Sequence, residues 1–561
     1  MGGLTEAFEL GVNGWTAPFD EGTVAVGPVE VTVNSSEVDG GRRLDLAVRN
    51  PGRHVVALHD VLVRLAAHPE QVLEHGHQAA SVVRRCRPDD QRPERSALAG
   101  WVRGCHFSRP EGAGLVVAGD QFLLTCEGVA GFLDARRHLG TVEAGPGGVT
   151  ARALLDGVPL EPGDRRQLDP LWLADGDPGI RYSDFASLWG LSGDARISGP
   201  SPVGWSSRYQ YRAAVRPEHL RANLEAAASH GLDLVQLDEG LQGAIGDWLT
   251  TDPQRWPSGL HGAAGQIAHA GLKAGLWSAP FLVGENSEVL RDHPRWVVAA
   301  GAGGGLGLPG PPLAGGGGEG QGTFVLDTTR PDVADHLRHT YAALVAEGFE
   351  YHKIDHCYAG ALPGRRHDPT MTRAEALRAG LEAVREGLGE GAFLLGASCP
   401  FGPAVGIVDA MRVSADAAPA WRPQQPWPGL AEAAPAAVNA VVGAVLRSPL
   451  HRRVFINDPD CLLLRPTDTG LEAWQRSFLA TVITGTGAFT VVSDDLGRYT
   501  EAEWGLLDAL RSVHLDVDTL LDIEDPFADP LVVRSAIGTE LTVDWRDDAP
   551  GGPSAILDVS G

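Results

Sequence analysis

From about residue 186 the chain alternates short apolar runs with helical stretches for roughly 300 residues, and this alternation limits the fold more than any other feature. The stretch 217–230 (PEHLRANLEAAASH) spaces its apolar residues at helical intervals and leads into an apolar run over 232–237. The order then repeats. Helical patterns over 261–270, 331–347 and 372–387 precede short strands over 272–276, 351–354 and 393–395. Eight candidate strands start near 204, 233, 272, 350, 392, 408, 453 and 487. Strand–helix repetition yields a parallel sheet, and eight strands suit closure into a (β/α)8 TIM barrel.

The flanks read differently. Runs over 23–33, 43–48, 55–65, 114–126 and 148–154 are β-rich, and VEVTVN alternates apolar and polar residues as a half-buried strand does. A β-sandwich is expected there. Beyond residue 512, LVVRSAIG, ELTVDW and AILDVS predict three strands of a small antiparallel β-domain. The divisions are 1–185, 186–512 and 513–561. The Gly/Pro-dominated segment 301–322 is expected to be a mobile surface loop, with a lid as the lesser alternative.

Composition excludes several function classes. A formal net charge of −26 repels phosphate backbones and anionic membranes, so no nucleic-acid partner is expected. No run reaches the ~18 apolar residues that span a bilayer. The closest, 433–446, is short and holds Pro435 and Asn439. The start of the chain lacks a basic segment followed by an apolar one, so a cytoplasmic protein is expected. Six scattered cysteines form no CxxC pair. His75-x-His77 is the one tight histidine pair, and a surface loop is its expected role, because a metal site needs more ligands. A homo-oligomer is compatible with the sequence.

Active-site groups of such barrels lie at the C-terminal ends of the strands. There the chain places Asp238-Glu239-Gly240, Ser278-Ala279-Pro280, Lys353-x-Asp355, Arg412-x-x-x-Asp416, Asp458-Pro459-Asp460 and Asp494-Asp495. Each aspartate alone could cap a helix. Several at one rim, with Lys353 and Arg412, favour a polar pocket. Cleaving a glycosidic bond requires two carboxyl groups, and tryptophan faces suit sugar rings. The chain has 14 Trp beside 7 Tyr, and Trp205, Trp248, Trp277 and Trp421 fall near predicted strand ends.

These segments resemble glycoside hydrolase family 36, in the clan of retaining α-galactosidases. The resemblance runs through VQLDEGLQGAIGDW, WPSGL, GLKAGLW, HPRWVV, FVLDTTRP, YHKIDHCYAGALPG, PFGPAVGIVDAMRVSADAAPAW and FINDPDCLLLR, in that order. It implies an N-terminal β-supersandwich, a catalytic barrel, a C-terminal β-domain, a saccharide substrate and no cofactor. It further implies Asp355 as nucleophile and Asp416 as acid/base. Lys353, Arg412, Asp238, Glu239 and Trp277 would bind the glycone, and Asp327, Trp248 and Trp205 are further candidates.

Three positions depart from the family pattern. Asp-Asp-Gly is replaced by Asp238-Glu239-Gly240. Arg208 stands where the strand-1 motif has tryptophan. Ala397-Ser398 stands where the strand-5 motif has Cys-Gly. Glu reaches about 1.3–1.5 Å further than Asp, into space that would hold a C6 hydroxymethyl group. Arg208 pairs with Glu239 or recognises an anionic sugar. The expected activity is therefore exo-α-galactosidase. The same chemistry on a β-L-arabinopyranoside, transglycosylation, a non-catalytic sugar-binding protein and a metal-dependent barrel enzyme are the alternatives.

Overall fold

The computed structural model describes residues 2–79, 81–90, 117–197, 199–300, 322–424, 434–487, 489–512 and 519–559. The Gly/Pro-rich segment lies outside the described residues, Gly322 excepted.

The N-terminal part forms one 15-stranded, largely antiparallel sheet. In Val29–Val38 the residues Val29, Val31 and Val33 are buried while their neighbours are less so, the period of a strand with one face inside. They join Leu44, Leu46, Val63, Leu65, Val149 and Ala151 in a single core. The sheet's first and last strands, Trp15–Pro18 and Gly22–Val26, approach each other, so the sheet curls toward closure.

The histidine pair is not on a surface loop. His75 ends the strand Val72–His75, and both His75 and His77 are buried. Apolar neighbours drew the segment inward: Phe122 packs on the His75 ring at 4.1 Å, and its carbonyl bonds His75 Nε2 at 2.7 Å. Burial and the Arg447 charge push His75 down to about 4, so it is neutral at pH 7. The carbonyl of His77 accepts from Phe401 N at 2.8 Å, which ties this sheet to the barrel.

The barrel strands are β1 (Val203–Ser206), β2 (Leu234–Leu237), β3 (Lys273–Ser278), β4 (Tyr351–Ile354), β5 (Phe393–Gly396), β6 (Ala410–Arg412), β7 (Ile456–Asp458) and β8 (Thr490–Val492). All pair in parallel, in the order β7-β6-β5-β4-β3-β2-β1-β8. Leu462, four residues past β7, closes the seam: its N–H donates to Val491 O at 2.7 Å and its carbonyl accepts from Ser493 N at 3.3 Å. The helices Pro217–Ser229, Gly259–His269, Pro331–Ala346 and Arg373–Leu388 lie where periodicity predicted them. Among the described residues no helix is long and apolar enough to cross a membrane.

The helix Pro178–Ser192 runs through the expected 185/186 division. Its first turn is set by Pro178 and by Asp177, whose side chain accepts from Ile180 N at 3.0 Å. It buries Tyr182, Phe185 and Trp189 against Phe122 of the N-terminal sheet, and the Tyr182 hydroxyl donates to Leu446 O of the barrel at 3.1 Å. The C-terminal sheet has four antiparallel strands, Leu521–Ile523, Leu531–Ser535, Glu540–Asp544 and Ser554–Asp558. Three were expected; the fourth is a three-residue strand with a charged centre, too short for a period to show.

Candidate active site

The site is assembled at the C-terminal ends of the barrel strands. On β2 the two-residue side-chain period brings Gln236 and Asp238 to the same side. Gln236 Nε2 donates to Asp238 Oδ2 at 2.7 Å, and Lys353 Nζ from β4 donates to the same oxygen at 2.9 Å. Burial alone would raise the Asp238 carboxyl; Lys353 and Arg208 outweigh it and hold the group below the usual carboxylate range. Burial opposes the charge on Lys353 as well, but Asp238 holds its ammonium above the ordinary lysine value. The two are an ion pair at every moderate pH.

Asp355 follows β4 directly. Its own N–H continues the ladder to Ser278 O at 2.8 Å, which fixes the Cα at the strand end. Oδ1 accepts from His356 N at 2.6 Å and Oδ2 from Trp277 Nε1 at 3.2 Å. Burial works against ionisation, yet His356, Lys353 and these two N–H groups together hold the carboxyl well below its ordinary value. Asp355 is a stable carboxylate. The turn that permits this puts His356 at φ 52°, in the left-handed region.

Across the barrel, β6 delivers Arg412. Its Nη2 lies 2.6 Å from Asp460 Oδ1, its Nη1 3.1 Å from Asp416 Oδ1 and its Nε 3.2 Å from Asp458 Oδ2. The Asp416 side chain is 52% exposed, and the charges of Arg412, Asp460, Arg208 and Asp355 act on it. Removal from bulk water pushes its carboxyl up. Arg412 and Arg208 oppose that, Asp460 and Asp355 reinforce it, and the net shift is upward.

Arg208, just past β1, turns its guanidinium to Glu239: Nη1 donates to Oε2 at 3.2 Å and lies 3.9 Å from Asp238 Oδ1. Of the two roles read from sequence, pairing with Glu239 is the one the geometry presents. Trp277 is joined edge-on by Trp248, with centroids 5.8 Å apart, and by His356 at 6.3 Å.

Other candidates are not brought to this cluster. Trp205 is fully buried, and its indole donates to Asp494 O at 2.8 Å as part of the barrel core. The Asp327 carboxylate is taken up by Thr329 N, Thr329 Oγ1 and His367 N, at 3.2, 2.6 and 2.6 Å, and braces a loop. Ala397 N donates to Ile354 O at 2.7 Å, and Ser398 turns at φ 43° while its carbonyl accepts from Tyr358 N. Both thus shape the backbone between β4 and β5. Asp494 likewise braces a loop, accepting from Leu464 N and Tyr499 Oη at 2.7 Å each.

Gln236, Tyr209, Asp458 and Asp460 join the cluster without having been assigned a role from sequence. Gln236 was legible, standing two residues before Asp238 on one strand. Asp460 was read at the strand-7 rim, but its link to Tyr209, whose hydroxyl donates to Asp460 Oδ2, was not legible, because the two stand 251 residues apart. Among the described residues no group of three or more His, Cys, Asp or Glu side chains could hold a metal ion.

Fold and site together define a (β/α)8-barrel protein with a pocket of paired carboxylates and cations at the strand ends. The family profile described as Melibiase matches residues 214–384. Alpha-galactosidase AgaA of Geobacillus stearothermophilus is 34% identical over 161 residues, 26% of this chain and 20% of that protein. Alpha-galactosidase 2 of Pediococcus pentosaceus is 29% identical over 170 residues, 29% of this chain and 22% of that one. The chain thus spans about a fifth of the length of the curated relatives it matches. Superposition reaches further. TtGalA, an alpha-galactosidase from Thermus thermophilus solved with stachyose, has TM-score 0.70 at 25% identity, over 90% of this chain and 99% of that one. The AgaA crystal structure shares the fold, with TM-score 0.63 at 17% identity over 97% and 82% of the two chains. The chain is thus similar to α-galactosidases over part of its length and shares the fold of glycoside hydrolase family 36 structures.

Proposed function

We propose that the protein is a retaining exo-glycosidase that removes terminal α-D-galactosyl residues by double displacement. The observation that carries this is the opposite tuning of two carboxyls in one pocket: Asp355 is held ionised while Asp416 is pushed toward its neutral acid. In the first step Asp355 attacks the anomeric carbon while Asp416 protonates the departing oxygen. In the second, Asp416 takes a proton from water, and the water's oxygen displaces Asp355 from the glycosyl ester. The Asp238–Lys353 pair offers fixed acceptors and donors to sugar hydroxyls, and Trp277 forms a wall. The relatives support the glycone: TtGalA was solved with stachyose and with p-nitrophenyl α-D-galactopyranoside. The described cysteines Cys126, Cys357, Cys399 and Cys461 are free thiols, which fits a cytoplasmic enzyme.

One observation favours a second glycone. Glu239 is longer than the family's aspartate and is pinned by Arg208 at 3.2 Å, so the pair occupies the part of the pocket meant for a C6 substituent. A β-L-arabinopyranoside lacks that group and otherwise matches an α-galactoside. Parallel hydrolysis of p-nitrophenyl α-D-galactopyranoside and p-nitrophenyl β-L-arabinopyranoside decides between them. The galactoside should be cleaved faster, and Glu239→Asp should raise its kcat/KM further. Preference for the arabinopyranoside, reversed by Glu239→Asp, would transfer the assignment to that glycone.

A further inference from the structure

We infer that Asp460 is a positioning residue that governs the protonation of Asp416 by competing for Arg412. The inference rests on reading Asp416 as the acid/base. One guanidinium here faces three carboxylates. Its shortest contact is with Asp460, at 2.6 Å, against 3.1 Å to Asp416 and 3.2 Å to Asp458. Asp460 is held for this role. It is 1% exposed, its N–H donates to Asp458 Oδ1 at 2.8 Å, and its backbone sits at φ 78°. Its other oxygen, Oδ2, accepts from Tyr209 Oη and, at 2.7 Å, from the N–H of Ala417, the residue after Asp416.

A single cation cannot neutralise three carboxylates. Asp460 also accepts from Tyr209 Oη and Ala417 N, and Asp458 from Asp460 N, whereas Asp416 faces outward with Arg412 as its donor, so Asp416 is the member that gives up least on taking a proton. The remaining charged or titratable groups facing Asp416 are Arg208 and Tyr209, past β1, and Asp355, past β4. Those facing Asp460 are Tyr209, past β1, Lys353 on β4 and the adjoining Cys461. Asp460 thus acts through Arg412 and through the Ala417 backbone, without touching the reacting atoms.

The test is the pH dependence of kcat/KM on the glycoside that the wild type cleaves, with an alkyl or saccharide leaving group that needs protonation. Asp460→Asn keeps an oxygen for Ala417 N but frees Arg412 for Asp416. The basic limb should move to lower pH by roughly one unit or more, with activity recovering on the acid side. Tyr209→Phe removes a donor from Asp460, strengthens its hold on Arg412 and should move the limb the other way. This second variant also covers the case in which Asp460→Asn fails to fold. A uniform loss at every pH in either variant, with the limb unmoved, overturns the inference and leaves Asp460 a structural residue. A wild type without a basic limb overturns it together with the acid/base reading, so the two failures are distinct.

Discussion

At the residue scale, Asp355 and Asp416 share a chemistry and differ in surroundings. Asp355 accepts two N–H groups and faces Lys353, which outweighs its burial; Asp416 shares its cation with other carboxylates. The sign for activity follows. In the proposed mechanism Asp355 must be ionised, and its value lies below the usual range, so kcat/KM should show no loss from this group as pH falls to about 4.5. Asp416 must be protonated, so kcat/KM falls as pH rises through its raised value. A profile limited on the acid side by a group near 4 would contradict the assignment of Asp355. Asp238 and Lys353 are the second residue-scale prediction. The Asp238 contribution to stability is present above its unfolded value, about 3.9, and lost as pH falls through its lower folded value. That of Lys353 is present below about 10.4 and lost only as pH rises through a higher one. Lys353→Met leaves Asp238 buried with only the more distant Arg208 and should destabilise the protein by about 3 kcal/mol at pH 7, read by urea unfolding.

At the element scale, the barrel was legible because its helices carry both period and punctuation. The helix Arg373–Leu388 is one example. Thr372 Oγ1 accepts from Glu375 N, Glu375 Oε2 accepts from Thr372 N, and the hydroxyl also donates to Arg137 O of the N-terminal sheet at 2.8 Å. Thr372→Ala should lower stability by about 1–2 kcal/mol, seen as a reduced urea midpoint at unchanged slope. The strands were placed to within a few residues, but β6, β7 and β8 have only three residues each, too few to fix their ends. The site was legible where a carboxylate follows an apolar strand directly, as at Asp238 and Asp355. It was not legible where groups far apart in the chain meet, as Tyr209 and Asp460 do. Trp205 and Asp327 also follow the strand-end logic, and each spends its polar atoms on the scaffold.

At the scale of the whole molecule, Pro178–Ser192 joins the N-terminal sheet, the barrel and the C-terminal sheet. A Cβ on Gly179 would lie 2.4 Å from Ile523 O of the C-terminal sheet, and one on Gly190 would lie 1.7 Å from Arg453 O of the barrel. These contacts admit only glycine. Gly190→Ala should therefore cost about 3 kcal/mol or more, while Leu191→Ala next to it, at a site 78% exposed, should change stability by less than about 0.5 kcal/mol. Thermal melting of the pair checks this, and equal losses would remove the helix from its joining role.

In the proposed mechanism Asp355 forms the covalent intermediate. Asp355→Ala assayed on an activated α-galactoside, with and without azide, tests it most directly. Activity should fall at least about a thousandfold and be partly restored by azide, with β-galactosyl azide as the product. Hydrolysis by Asp355→Ala at the wild-type rate would contradict it.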